Sequence, residues 1–138
     1  MNHLKSFKES YQIITKDILE IEDIFQDICD EFSIEKWNRG ENNDYGIFYT
    51  LNVGNNGFLT IIYISVKLFI DNDKKIKYSN SNKKLIDRYT EIVKRIKLWL
   101  IPRIKELGYN VNYQCSFNGD PNGLDEILLN ISRKQIIK

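Results

Sequence analysis

Chemistry is what this sequence has least of. It holds one histidine, His3, close to the N-terminal end, and two cysteines, Cys29 and Cys115. Two cysteines that far apart do not make a zinc knuckle, whose ligands come in closely spaced pairs. Cys29 falls beside an apolar helical stripe and Cys115 in an alternating strand. Both read as buried reduced thiols, because free cysteine packs as a small hydrophobe. There is no glycine-rich phosphate loop and no nucleophile elbow. A triad-type hydrolase would have to take its base from His3, at a chain end poorly suited to rigid geometry. Glu22-Asp23 and Asp30-Glu31 are consecutive on an expected helix, and consecutive helical residues do not face each other, so they make poor acid–base couples. Asp120, Asn122, Asp125 and Glu126 surround Pro121 and Gly123 but lack the twelve-residue calcium spacing, and they read as a hairpin turn. The expectation is a protein that is not an enzyme and that uses no cofactor or metal.

Other absences narrow the class. Alanine does not occur at all, while Ile, Asn and Lys are abundant, a bias typical of AT-rich coding. Acidic and basic residues nearly cancel, at a formal net charge of +1. That balance argues against a whole-molecule field for nucleic acid or membrane. Lys5 and Lys8 are followed by no apolar run, so no signal peptide is expected. The longest apolar stretch, Phe58 to Ile70, contains Lys67 and is too short to span a bilayer. A cytoplasmic location follows as the expectation. The length of 138 residues suits one domain, 1–138, able to bury a core without a staple.

What is present is periodicity. Leu4, Phe7, Tyr11, Ile14, Ile18, Ile21, Phe25, Ile28 and Phe32 recur at steps of three and four, predicting a helix from about Asn2 to Phe32. Ile13, Leu19 and Ile24 widen the stripe, as expected for packing on a core rather than in a bare coiled coil. Ser33 to Asp44 reads as a connection. Tyr45 to Val53 alternates as a strand, Gly54-Asn55-Asn56-Gly57 as a hairpin turn, and Phe58 to Ile70 as the partner strand. Asp71 to Asn82 is polar and expected to be a loop, with Ser81 or Asn82 capping a second helix. That helix carries Leu85, Tyr89, Ile92, Ile96 and Trp99, with Ile86, Val93 and Leu100 alongside. Pro102 should kink or break it, and Gly108 suits a left-handed terminus. Tyr109 to Asn118 alternates most cleanly, a turn follows to Gly123, and Leu124 to Arg133 is the last strand.

The order αββαββ, with short connections, predicts an α+β fold. We expect a four-stranded, mainly antiparallel sheet with two long helices packed on one face. A thirty-residue first helix, about 45 Å long, would overhang strands of ordinary length, which suggests a homodimer. The double-stranded RNA-binding domain and the RRM have different element orders, and the aromatic motif of the latter is missing.

Two kinds of surface offer themselves to a partner. The first helix is acidic, with Glu20, Asp23 and Asp27 among its carboxylates, and the second is basic. Complementary flanks of neighbouring helices would explain that split, as would a charged partner. The second surface is the sheet face left bare by the helices, with Phe48, Tyr63 and Lys67 on one hairpin and Asn112 and Gln114 on the other. Trp37 and Arg39, in the first connection, suit either a binding anchor or a cap on the core. In kind, as a small, neutral α+β protein without catalytic residues, the chain resembles toxin-immunity and phage counter-defence proteins. The expected function is therefore non-enzymatic binding: an inhibitor or immunity-type module that occludes a protein partner. The alternatives are a nucleic-acid-binding regulator using the basic helix and the Lys74-Lys75-Ile76-Lys77 loop, or a small-ligand sequestering protein with a pocket at a homo-oligomer interface.

Overall fold

The first helix is shorter and more sharply started than its periodicity predicts. The computed structural model describes residues 12–38, 45–69, 80–116 and 125–133, apart from the side chains of 80–82, 116 and 125. Helix α1 runs Thr15–Phe32. The part of the expected helix before Gln12 lies outside the described residues, and Gln12 to Ile14 are not helical. The start is set by Asp17, whose carboxylate reaches back to accept from the Ile14 amide at 2.8 Å. This is half of a capping box, since the Ile14 side chain has no acceptor to return the bond. The stripe then holds: Ile21, Phe25, Ile28 and Cys29 are buried, and Ile18, Ile24 and Phe32 pack against the core. Ile14 and Leu19, expected in that stripe, are exposed. The helix ends at Ser33, which is left-handed, and the Ile34 amide closes on the Cys29 carbonyl at 2.9 Å.

The sheet corrects the expected architecture. It has five strands and is mixed, in the order β1-β2-β3-β5-β4. The additional strand is β1, Glu35–Lys36, which lies in the stretch read as a connection and pairs parallel to β2. Two charged residues carry no alternation, so nothing in the sequence marks them. The Trp37 amide extends the pairing by donating to the Tyr49 carbonyl at 2.9 Å. The remaining strands are β2, Gly46–Asn56, β3, Leu59–Phe69, β4, Tyr109–Ser116, and β5, Asp125–Arg133, and these four pair with one another antiparallel. The first hairpin is tighter than expected. Pairing continues to Asn56 and Leu59, leaving only Gly57 and Phe58 to turn, with Gly57 at φ +66° and Phe58 outside the apolar face. The connections at 39–44, 70–79 and 117–124 lie outside the described residues.

The second helix survives its proline. Helix α2, Asn80–Arg95, passes through a π turn, Ile96–Leu100, into α3, Ile101–Glu106. Pro102 has no N–H for the carbonyl one α-turn back, and its ring would collide with that carbonyl. The chain widens instead: the Ile101 amide reaches the Ile96 carbonyl, five residues back. The result is a continued rod rather than a break, with Leu98 pushed out to 76% exposure.

Both helices cover one face of the sheet. Register aligns Ile47, Tyr49 and Leu51 with Leu68, Val66 and Ile64, and these with Ile127 and Leu129 of β5. Val111 of β4 continues the layer beside Ile131. All join a single core cluster with Ile21, Phe25, Ile28, Ile92, Ile96 and Ile104. Phe25 meets Tyr49 edge-on at 5.1 Å, and the buried Tyr89 hydroxyl donates to the Val66 carbonyl at 3.1 Å. The expected overhang is absent among the described residues. An 18-residue helix spans about 27 Å, and the 11-residue strands β2 and β3 reach about 36 Å. Among the described residues, then, length gives no reason to expect a homodimer.

Candidate binding face of the sheet

The face opposite the helices is built from the alternate residues of the same strands. Register places Phe48, Lys67 and Glu126 in one row, Thr50, Ser65, Leu128 and Gln114 in the next, and Asn52, Tyr63, Asn130 and Asn112 in a third. Among the described residues no helix lies over it. Phe48 is nonetheless buried and stands outside the core cluster. Its ring packs on Phe69 at 5.9 Å. Tyr63 lies over Gly54, where a Cβ would meet its ring at 3.0 Å. The glycine is what lets the ring lie flat on the strand.

One end of this face holds a cavity of about 270 Å³, lined by Trp37, Phe48, Thr50, Asn52, Ser65, Lys67 and Phe69. Its walls are aromatic and its floor is hydroxyl and amide. Trp37 arrives from β1, which carries the chain from the end of α1 onto the sheet margin. It does not cap the core, as the simpler reading of the sequence had it. Lys67 stands at the rim, paired with Glu126 at 3.3 Å. Its ammonium has three donors, so that pair leaves it capacity for another acceptor. The Ser65 hydroxyl is buried and has no hydrogen-bond partner among the described residues, and the Asn130 side-chain oxygen Oδ1, further along the face, is in the same condition. An unsatisfied buried polar atom destabilises a fold by about 1–3 kcal/mol, so each such atom needs a reason. Ser65 is one of the residues that line the cavity.

The other predicted residues scatter. Asn112 and Gln114 are exposed on β4, across the same face from the cavity. Glu20 turns inward, its carboxylate 3.3 Å from the Tyr109 hydroxyl. Asp23 is exposed on α1. Asp27 borders a larger, open hollow of about 480 Å³ between α1 and the π turn, with Ile24, Leu98, Trp99, Pro102, Arg103 and Glu106. That hollow is bigger than the sheet cavity, but no buried polar atom lacks a partner there. Arg39 and the Lys74–Lys77 loop lie outside the described residues. The structure thus brings Trp37, Phe48 and Lys67 together, sets Tyr63, Asn112 and Gln114 on the same face, and separates Glu20, Asp23 and Asp27 from them. Ser65, Thr50, Asn52 and Phe69 escaped the sequence reading. Their only signal was alternation opposite the apolar positions, which identifies a face and not a cavity.

Part of the charge split between the helices goes into neighbour contacts. Arg95 pairs with Glu31 at 3.2 Å. Arg88 donates to the Phe32 carbonyl and to the Ser33 carbonyl, the latter at 3.0 Å. A cation on those carbonyls compensates the negative end of α1, whose last turn contains no basic residue. The other end of α1 is anchored by Asp17, almost fully buried. Tyr109 donates to it at 2.6 Å, and Arg133 grips both oxygens at 3.1 and 3.2 Å. Burial pushes its pKa up, but Arg133, the Ile14 amide and Tyr109 outweigh that and hold the carboxyl below its ordinary value. Burial, then the Asp17 contact, raises the Tyr109 phenol. This cluster is satisfied and structural. Cys29 is buried, and burial, with Asp30 nearby, pushes its thiol up to about 12, so it is not a nucleophile at neutral pH. Cys115 is half-buried.

Among the described residues no helix is long and apolar enough to cross a membrane. Compared with family models, curated proteins and solved structures, the chain finds no match.

Proposed function

We propose that this protein binds another protein through the helix-free face of its sheet, and that it acts as a non-enzymatic inhibitor or immunity-type module in the cytoplasm. One observation supports the reading above others. An aromatic-lined cavity on that face has Ser65 in its lining, whose buried hydroxyl lacks a partner among the described residues. At about 270 Å³ it falls just below the range usual for free small ligands. It suits a single anchoring side chain from a macromolecule, with flanking contacts from the rest of the face. The chemistry selects a ring that carries a hydrogen-bonding atom, since Trp37, Phe48 and Phe69 offer π faces while Ser65, Thr50 and Asn52 offer polar atoms. The acidic helix is the weaker candidate, because Glu20 is engaged with Tyr109 and Glu31 with Arg95.

Cross-linking capture from the native host tests this. Trp37→Ala and Asn52→Arg should each abolish capture of the protein taken by the wild type, with the melting temperature unchanged. Asp23→Lys combined with Asp27→Lys should leave capture intact. The opposite result would move the contact to α1.

A further inference from the structure

The two margins of the sheet are built differently. At one side the margin is broken: β1, two charged and exposed residues, Glu35 and Lys36, pairs only with Phe48 and Tyr49, and the β2 edge beyond it is interrupted by Gly54. Short strands and charges are the usual means of keeping a sheet edge from pairing with another. At the other side stands β4, Tyr109–Ser116, eight residues without a charge, a proline or a glycine. Among the described residues no strand pairs with its outer edge. Asn112, Tyr113 and Gln114, at its middle, are consecutively exposed, with Tyr113 at 47%.

From this we infer that β4 pairs antiparallel with β4 of a second copy of this chain, joining two sheets into one. The occupant is a second copy because the strand is complementary to itself. A two-fold axis normal to the sheet keeps each strand's helix-side row against the other's. Centred on Asn112, it sets Val111 beside Tyr113 of the second copy, an apolar cross-strand pair. On the reverse side it sets Asn112 beside its own equivalent and Asn110 beside Gln114. A primary amide both donates and accepts, so amides pair with amides, whereas like charges directly opposite would repel. Lys97 already holds the Tyr113 ring from the helix side, its ammonium 5.5 Å from the ring centroid, so that ring is positioned before pairing. An edge of eight residues makes a small interface, and the pairing is concentration-dependent rather than obligate. This inference does not depend on the sheet-face cavity, since the cavity is lined from β1, β2 and β3.

Sedimentation velocity over a concentration series tests it. The wild type should shift from monomer to dimer as concentration rises. A variant with Asn112→Lys and Gln114→Lys should stay monomeric, as should one with Asn112→Asp and Gln114→Asp. Mixing the two variants in equal amounts should restore a dimer through opposite charges. Should either variant unfold, hydrogen exchange on the wild type decides the matter: the alternate amides of residues 110–114 that point away from β5 should exchange more slowly as concentration rises. A wild type that stays monomeric throughout, a like-charged variant that dimerises undiminished, or exchange rates independent of concentration would each overturn the proposal.

Discussion

Asp17 shows how much one carboxylate can organise when its partners come from three separate parts of the chain. It holds the Ile14 amide, the Tyr109 hydroxyl and the Arg133 guanidinium together. Asp17→Asn should destabilise the protein by about 2–3 kcal/mol at neutral pH, since it removes the charge and turns one of two accepting oxygens into an NH2 donor set against other donors. The pH dependence has a definite sign. The folded carboxyl sits below its ordinary value of 3.8, so its contribution is complete above that value and fades as pH falls through the folded pKa. Urea midpoints of wild type and variant should therefore converge in acid and differ most near neutrality. A gap constant with pH would mean that the charge of Asp17 contributes nothing. Ser65 predicts the reverse kind of effect. Its hydroxyl is buried without a partner, so Ser65→Ala should raise stability by about 1 kcal/mol while weakening partner capture. A destabilised Ser65→Ala would show that the hydroxyl is satisfied within the fold.

Among the elements, the contacts that join the helices divide into strong and weak. Arg88 satisfies terminal carbonyls of α1, which otherwise ends without a cation, and Arg88→Ala should cost about 1 kcal/mol. The Arg95–Glu31 pair is nearly half exposed on both sides, so Glu31→Ala should cost less than about 0.5 kcal/mol. Equal losses for the two, in parallel urea titrations, would refute that ranking. Long periodic elements were readable in advance, because burial repeats along them: Ile21, Phe25 and Ile28 on α1, Tyr89, Ile92 and Ile96 on the second rod, and the alternating Ile62, Ile64, Val66 and Leu68 on β3 are the buried residues. Three features were not readable. β1 has two residues and no period to detect. The start of α1 depends on Asp17, whose partners Tyr109 and Arg133 are 92 and 116 residues away. The π turn arises because tertiary packing of Ile96, Leu100 and Ile104 keeps the rod going past a proline that local rules would let break it.

Across the described residues the molecule is a sheet with helices on one side and none on the other, and that asymmetry was legible in outline only. Alternation separated the two faces correctly, so Phe48, Tyr63, Lys67, Asn112 and Gln114 do share one of them. The cavity was out of reach, because it needs Trp37 delivered by β1 and Ser65 placed beside Thr50, both facts of pairing register. Register also carries the whole-molecule prediction. The β2–β3 hairpin joins sequence neighbours, whereas the lock on the first turn of α1 closes a loop of 116 residues. Pulse-labelled exchange during refolding should show hairpin amides protected before the Ile14 amide, and simultaneous protection would count against it. On the ribosome the same geometry acts as a completion check. The helix is made 116 residues before the arginine that fastens it. A nascent chain can gather its β2–β3 ribbon early, but its opening turn stays unfastened until Arg133 has left the exit tunnel, so the order of synthesis is opposite to the order of closure.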